Sequence, residues 1–286
     1  EILSKDRYIS SLPEINQAIL TAGRLNRPND ALKLFQSIAT FGLRADLVSY
    51  NNMIWSFSHA TRIKEAQQQF KELLSHPSLT PNEYTYSSLM YGLARARRHQ
   101  EALQYLEEMQ HHGATPNSYI YASVMDACVG AGRYHEALDL MKRAESNSIY
   151  PDVTMVNIAL KALAQLGDME GAENLANSLR SEQSLDIRSF HTLMMGHSKQ
   201  LQYWRVLQLY EEACAANIEL DNGIYTLAML SALNNKQYAS VVRIAEKARD
   251  TRAGLCEASY SVLIKALGKT DQPFAAVECL NSMRSE

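Results

Sequence analysis

The chain has little of what most functional classes require. Its four cysteines, Cys128, Cys214, Cys256 and Cys279, lie too far apart to form any CxxC pair. That excludes a zinc ribbon and a thioredoxin-type motif and leaves buried, reduced thiols as the expectation. Glycine and proline are sparse, at 12 and 7 of 286 residues, and no Ser- or Gln-rich tract occurs, so disordered linkers are not expected. The longest uncharged stretch, Asn222 to Asn235, is shorter than the roughly 18 residues of a membrane span, so no membrane insertion is expected. No Gly-rich phosphate loop follows a strand-like segment. His111 and His112 have no carboxylate or cysteine at ligand spacing and read as a solvated pair, while His191 and His197 do not share a helical face. A nucleophile, its base and an orienting group cannot be assembled, so no catalytic residue, metal, cofactor or small-molecule substrate is expected. The chain starts at Glu1 without a basic or apolar leader, so any targeting peptide is expected to have been removed or left out.

What the sequence does contain is a repeat. Units run 12–46, 47–82, 83–117, 118–152, 153–186, 187–221, 222–256 and, in part, 257–286, after a lead-in at 1–11. The fourth residue of each unit is Ile15, Tyr50, Tyr86, Tyr121, Val156, Phe190, Tyr225 or Tyr260. The tenth is always small: Thr21, Ser56, Gly92, Ala127, Ala162, Gly196, Ser231 and Ala266. The twentieth is alanine in six units, with Val206 and Val241 in the other two. Tyr86, Leu89, Met90 and Leu93 recur at helical spacing, and Ala102, Leu103, Leu106 and Met109 form a second stripe, so each unit is a helical hairpin. The small tenth and twentieth residues are expected to let the two helices of one hairpin approach. Ala131-Gly132 and Leu166-Gly167 mark turns between helices, Gly42 and Gly113 mark ends of second helices, and Pro81, Pro116 and Pro151 stop a second helix from running on. One hairpin cannot bury both its faces, so neighbours must stack. The expected fold is all-α: a single continuous solenoid of about eight helix-turn-helix repeats over 12–286.

Tyr50-Asn51-Asn52-Met53-Ile54, Glu101-Ala102-Leu103, Glu136-Ala137-Leu138, and the closing Tyr150-Pro151-Asp152 and Thr115-Pro116-Asn117 resemble pentatricopeptide repeats of the pure 35-residue class. The 34-residue tetratricopeptide repeat is the near alternative, disfavoured by the spacing and by a polar residue after the aromatic. Leu185, Leu220 and Leu255 depart from the family's closing proline.

The resemblance implies a right-handed solenoid that binds single-stranded RNA one base per repeat, with the fifth and last residues of a unit choosing the base. It pairs Asn16 with Asp46 for U, Asn51 with Asn82 for a pyrimidine, Ser87 with Asn117 for A, and Asn157 with Asp186 for U. Ala122 with Asp152, His191 with Asp221 and Thr226 with Cys256 spell no base. Val48, Tyr84 and Tyr119, at the second position, are the stacking candidates, the tyrosines having helix-start packing as their equal alternative. Arg24, Arg95, Lys199 and Lys269, at the thirteenth position, are the phosphate candidates.

Net charge is −3, the wrong sign for an RNA binder as a total. The first sixteen positions of the units nevertheless hold 13 basic and 6 acidic residues, and the rest of the chain 15 and 25. That segregation fits a basic concave groove with an acidic back, or else a solvated charged rim. The implied function is a non-enzymatic RNA binder of a mitochondrion or plastid, acting in RNA processing, stability or translation. The alternative is a scaffold subunit of an organellar ribonucleoprotein or other large complex, which holds protein partners and RNA by shape.

Overall fold

The computed structural model describes residues 11–180, 185–270 and 272–285. The lead-in thus lies outside the described residues except for Ser11, as does Asp271. Sixteen helices occupy the described chain, which contains no strand. The first helices of the hairpins are α1 (Leu12–Arg24), α3 (Leu47–His59), α5 (Glu83–Arg95), α7 (Ser118–Gly130), α9 (Val153–Leu166), α11 (Ile187–Lys199), α13 (Asn222–Asn234) and α15 (Glu257–Lys269). Each starts on the residue at which a sequence unit starts. The second helices are α2 (Pro28–Thr40), α4 (Ile63–Ser75), α6 (His99–His111), α8 (Tyr134–Ser146), α10 (Met169–Arg180), α12 (Tyr203–Ala215), α14 (Tyr238–Arg249) and α16 (Pro273–Ser285). The fold is an all-α solenoid. It divides into two compact units between Ile158 and Ala159, inside α9.

In the N-terminal unit the first helices pack in series, α1 on α3, α3 on α5 and α5 on α7, while α2, α4 and α6 each reach the following first helix. The C-terminal unit repeats this, with α11 on α13, α13 on α15, and α12 and α14 bridging to the next hairpin. All eight fourth-position side chains are buried. Three of them also close their own hairpin through the hydroxyl: Tyr50 meets His76 Nε2 at 2.8 Å, Tyr86 meets His112 Nδ1 at 2.8 Å, and Tyr121 accepts from Asn147 Nδ2 at 2.9 Å. Each partner sits just after the last turn of the second helix. His112 is therefore a latch for Tyr86 as well as an exposed residue, which corrects its expected role as half of a solvated pair.

The twentieth-position Ala31, Ala66, Ala102, Ala137 and Ala172 are fully buried. The small tenth position works differently from expectation. A Cβ on Gly92 would lie 2.7 Å from the Ser58 Cβ of α3 and 2.9 Å from the Ile63 Cδ1 of α4, both in the preceding hairpin. One on Gly196 would run into Met169 of α10 and meet Ala164 of α9. At these two positions smallness admits the neighbouring hairpin, not the partner helix.

The first seven hairpin turns place their fifteenth residue in the left-handed region, at φ between 55° and 78° for Asn26, Thr61, Arg97, Gly132, Gly167, Leu201 and Lys236. Only two of these are glycine, which is why glycine alone marked only two of the turns. The residue that follows is the N-cap of the second helix, and in the first four hairpins it is an arginine: Arg27, Arg62, Arg98 and Arg133. These arginines pair with Asp30, Glu65, Glu101 and Glu136, acids of the first helical turn. Arg188 pairs likewise with Asp186. Five of the thirteen basic residues counted toward a groove are thus engaged by carboxylates, all of which stand outside the counted segment. The charge segregation is correspondingly weaker than the sequence suggests.

In the C-terminal unit, Glu173 of α10 holds α11 and α12 together. Its Oε1 lies 2.9 Å from buried His197 Nε2 and 2.7 Å from Arg205 Nε, and its Oε2 accepts from Arg205 Nη2 at 2.8 Å. Burial raises the Glu173 carboxyl, but the bonds from His197 and Arg205 outweigh it and hold the group at about 2. A carboxyl depressed in this way stabilises the fold above its unfolded value, roughly 4.3, and that contribution disappears as pH falls toward 2. Glu173→Gln should lower stability at neutral pH by about 2 kcal/mol and flatten the loss between pH 5 and 2, by urea unfolding followed at several pH values. An unchanged pH profile would show that the cluster contributes nothing.

Candidate functional site

The last residue of a unit is also the N-cap of the next first helix. Six of the seven cap through a side-chain oxygen. Asp46 accepts from the Ser49 amide at 2.8 Å, Asn82 from Thr85 at 3.1 Å and Asn117 from Ile120 at 3.0 Å. Asp152, Asp186 and Asp221 accept from Met155, Ser189 and Ile224, each at 2.9 Å. Cys256, the seventh, makes no such bond. Capping by itself favours Asp or Asn at these positions, independently of any ligand.

The cap also fixes what is left to present. The amide oxygen of an asparagine must turn to the helix N–H, so its Nδ2, a donor, is the group not spent on the cap. A capping aspartate keeps its second oxygen, an acceptor. Asn82 and Asn117 are therefore donors at their unit ends, and Asp46 is an acceptor.

The fifth residue meets this cap. Asn16 Nδ2 donates to Asp46 Oδ1 at 3.1 Å, Asn51 Nδ2 to Asn82 Oδ1 at 3.2 Å, and Thr226 Oγ1 lies 3.5 Å from Cys256 Sγ. A third group completes each set, the hydroxyl at the third position of the next unit. Ser49 Oγ donates to Asn16 Oδ1 at 2.7 Å, Thr85 Oγ1 to Asn51 Oδ1 at 2.6 Å, and Ser259 Oγ lies 2.6 Å from Thr226 Oγ1. Burial raises the Asp46 carboxyl, but its bonds from Ser49 and Asn16 prevail and hold it below the ordinary range. At Cys256 burial raises the thiol, and the bonds from Ser259 and Thr226 bring it down to about 7. Sequence reasoning missed this third position, although its pattern is visible. A hydroxyl residue stands there after Asn16, Asn51, Asn157 and Thr226, and Ile120, Met155 or Ile224 after Ser87, Ala122 or His191.

The candidates are not equally accessible. Asn16 is only 5% exposed, its amide engaged by Asp46 and Ser49. Asn51, Ser87 and Asn157 are half-buried, Asn82 and Asn117 exposed, and Asp46 and Asp186 half-buried. Ala122 is buried. The second-position Val48, Tyr84 and Tyr119 are 51%, 75% and 51% exposed, so on the N-terminal unit they stand out from the helix starts instead of packing away. Arg24, Arg95, Lys199 and Lys269 are exposed. Arg95 Nη1 donates to the His59 carbonyl at 2.6 Å, and its guanidinium lies 5.9 Å from the Tyr91 ring centre.

In the third unit these features converge. Ser87 and Asn117 line one open cleft of about 520 Å³ together with Tyr84 and Tyr119, and with Trp55, His59, Glu83, Ser88 and Tyr91. Here the third position of the next unit is Ile120, so no hydroxyl ties the pair together. Ser87 Oγ donates to its own helix at the Tyr84 carbonyl, and Asn117 Nδ2 reaches Glu83 Oε2 at 3.3 Å. A flat ring entering this cleft would find exposed aromatic faces beside a hydroxyl and an amide donor.

A model described as the PPR repeat family matches residues 45–95 and 81–129, and one described as the PPR repeat matches 119–149 and 258–286. No curated protein matches the chain. Among solved structures, the pentatricopeptide repeat protein PPR10 from maize is similar at 16% identity and a TM-score of 0.58, over 96% of this chain and 49% of that one. PPR10 in complex with an 18-nt psaJ RNA element matches at 15% identity and a TM-score of 0.52, over 99% and 52%. Nuclear protein-only RNase P 2 from Arabidopsis thaliana matches at 14% and 0.56, over 65% and 42%. The chain spans about half the length of these three solved structures or less, and the likeness establishes the fold: that of pentatricopeptide-repeat solenoids.

The double duty of the unit-ending residue is separable by substitution. Asn117→Ala should cost about 1 kcal/mol of stability through the lost cap, whereas Asn117→Asp should cost nothing measurable, since a carboxylate caps at least as well. Thermal or urea unfolding of the two variants checks this; equal losses would show that the cap is not what Asn117 supplies to the fold.

Proposed function

We propose that this chain is a non-enzymatic, sequence-selective single-stranded RNA-binding protein of the pure 35-residue pentatricopeptide class. Its place is a mitochondrion or plastid, and its work is in RNA processing, stability or translation. The observation that carries the reading is the third-unit cleft, where the candidate pair Ser87 and Asn117 opens between exposed Tyr84 and Tyr119. The likeness to PPR10, solved both alone and with RNA, supports it.

The chemistry follows from the caps. Adenine and cytosine present a ring nitrogen that accepts, which suits the Nδ2 donor of Asn117 or Asn82. Uracil and guanine present a ring N–H that donates, which suits the second oxygen of an aspartate such as Asp46, whereas that of Asp186 already accepts from Arg188 Nε at 3.2 Å. The fifth residue then separates the two bases in each class by size and by its own hydrogen bond. The resemblance to pentatricopeptide repeats assigns U, pyrimidine, A, an unread position and U to the first five units, from the pairs Asn16 and Asp46, Asn51 and Asn82, Ser87 and Asn117, and Asn157 and Asp186. Arg24, Arg95, Lys199 and Lys269 supply the phosphate contacts, and Val48, Tyr84 and Tyr119 the stacking.

A second reading, a scaffold subunit of an organellar ribonucleoprotein, draws on the C-terminal unit. There His191 with Asp221 and Thr226 with Cys256 spell no base, and Leu201, Trp204, Phe274 and Val277 are exposed apolar side chains. Stoichiometric protein partners that survive ribonuclease during purification would favour this reading.

The RNA reading is tested by competition among short single strands of the form U-pyrimidine-N-N-U that differ at the third base. The protein should prefer A there by roughly tenfold, since a good hydrogen-bonded pair is worth about 1–3 kcal/mol, and affinity should fall with salt. Asn117→Asp should move that preference from A to G and leave the other positions alone. Equal, weak binding of all strands would reject the proposal.

A further inference from the structure

Positions 2, 5, 9 and 13 of a first helix follow one another at three- and four-residue steps and so share a stripe. The ninth residue has no part in the pairing above. Where it is Asp126, Lys161, Met195, Leu230 or Lys265 it is exposed, so this register looks outward. In the second and third units it is instead Trp55 and Tyr91. The rings form a ladder with His59: Trp55 stacks on His59 with centroids 4.9 Å apart and planes 14° from parallel, and His59 on Tyr91 at 6.0 Å and 10°. The Arg95 guanidinium lies over the far end, 5.9 Å from the Tyr91 centre. The indole is seated on α1, where a Cβ at Gly23 would come within 2.9 Å of Trp55 Cζ3. All three rings line the cleft that holds Tyr84, Ser87, Asn117 and Tyr119.

We propose that the Trp55–His59–Tyr91 ladder is a second stacking wall for an unpaired RNA base, distinct from the second-position tyrosines and indifferent to base identity. The inference rests on the RNA-binding reading of the same cleft. Three features point to a base as the occupant. The cleft volume lies within the roughly 300–1,000 Å³ of sites that take small organic ligands. Five of its nine lining residues carry aromatic rings and four are polar, which suits a flat heterocycle. The cation Arg95 stands over the Tyr91 end of the ladder and supplies a positive charge beside the rings. Every base has a π-face, so stacking of this kind strengthens binding without choosing a sequence.

The chain has two tryptophans, and Trp204 lies in the other compact unit. In a Trp204→Phe background Trp55 becomes the sole indole reporter. The probe is a fluorescein-labelled RNA of sequence UCAAU, with binding read by anisotropy and Trp55 emission read in parallel with the unlabelled strand. Binding should quench Trp55. Trp55→Leu should weaken UCAAU and its scrambled version alike, by roughly tenfold or more, and Trp55→Phe should recover most of the loss. Circular dichroism of each variant, with Tyr91→Leu as the second probe of the wall, separates lost stacking from lost folding. If UCAAU binds, Trp55 is unquenched and both leucine variants bind as the parent does, the ladder is only packing between hairpins and the base-reading proposal stands. If UCAAU does not bind the unmodified protein, both proposals fall.

Discussion

A single hydrogen bond, from the third amide of six of the first helices, α3 to α13, to the side-chain oxygen of the residue ending the previous unit, organises the candidate site. It ends one hairpin and starts the next, so it belongs to the register of the whole solenoid. It also commits one atom of that residue. In an asparagine that caps with its oxygen the second polar atom is a nitrogen, and in an aspartate it is another oxygen. The chemical identity shown at each unit end is thus a consequence of folding. Whether the residue is Asp or Asn alters helix stability little but inverts the hydrogen-bonding sense of the surface beside it.

The hydroxyl that begins each affected helix adds a second layer. Ser49 and Thr85 bond both the cap and the fifth residue of the unit before, tying Asn16 and Asn51 into three-member networks. Such networks hold an amide in one orientation, at the cost of access: Asn16 is buried by its network, and Asn51 is half-covered. In the third unit Ile120 takes the hydroxyl's place, and there Ser87 and Asn117 stand apart at an open cleft. Preorganisation and exposure are traded differently from hairpin to hairpin, although the backbone repeats.

Much of this was legible in the sequence because the repeat is physical. The fourth-position aromatics announce a buried stripe and are buried. Unit starts read from Asp46, Asn82 and their equivalents coincide with helix starts, since a short polar residue before an apolar stripe is what a helix N-terminus requires. Three things were less visible. Left-handed turns at Thr61 or Leu201 carry no glycine to mark them. The close approach at Gly92 and Gly196 belongs to neighbouring hairpins, a distinction that side-chain size cannot make. Counting charges along the chain took Arg27, Arg62, Arg98 and Arg133 for groove residues, when each is bound to an acid three residues on. The cleft itself joins residues 55 to 119 across three first helices, and only stacking in space collects them.

The most direct measurement is a crystal structure of the protein with a bound U-pyrimidine-A-N-U strand. The account predicts an adenine in the third-unit cleft, with its N1 within hydrogen-bond distance of Asn117 Nδ2 while Asn117 Oδ1 remains on the Ile120 amide. An adenine held there by Asn117 Oδ1, with the cap broken, or a strand lying elsewhere on the protein, would contradict it.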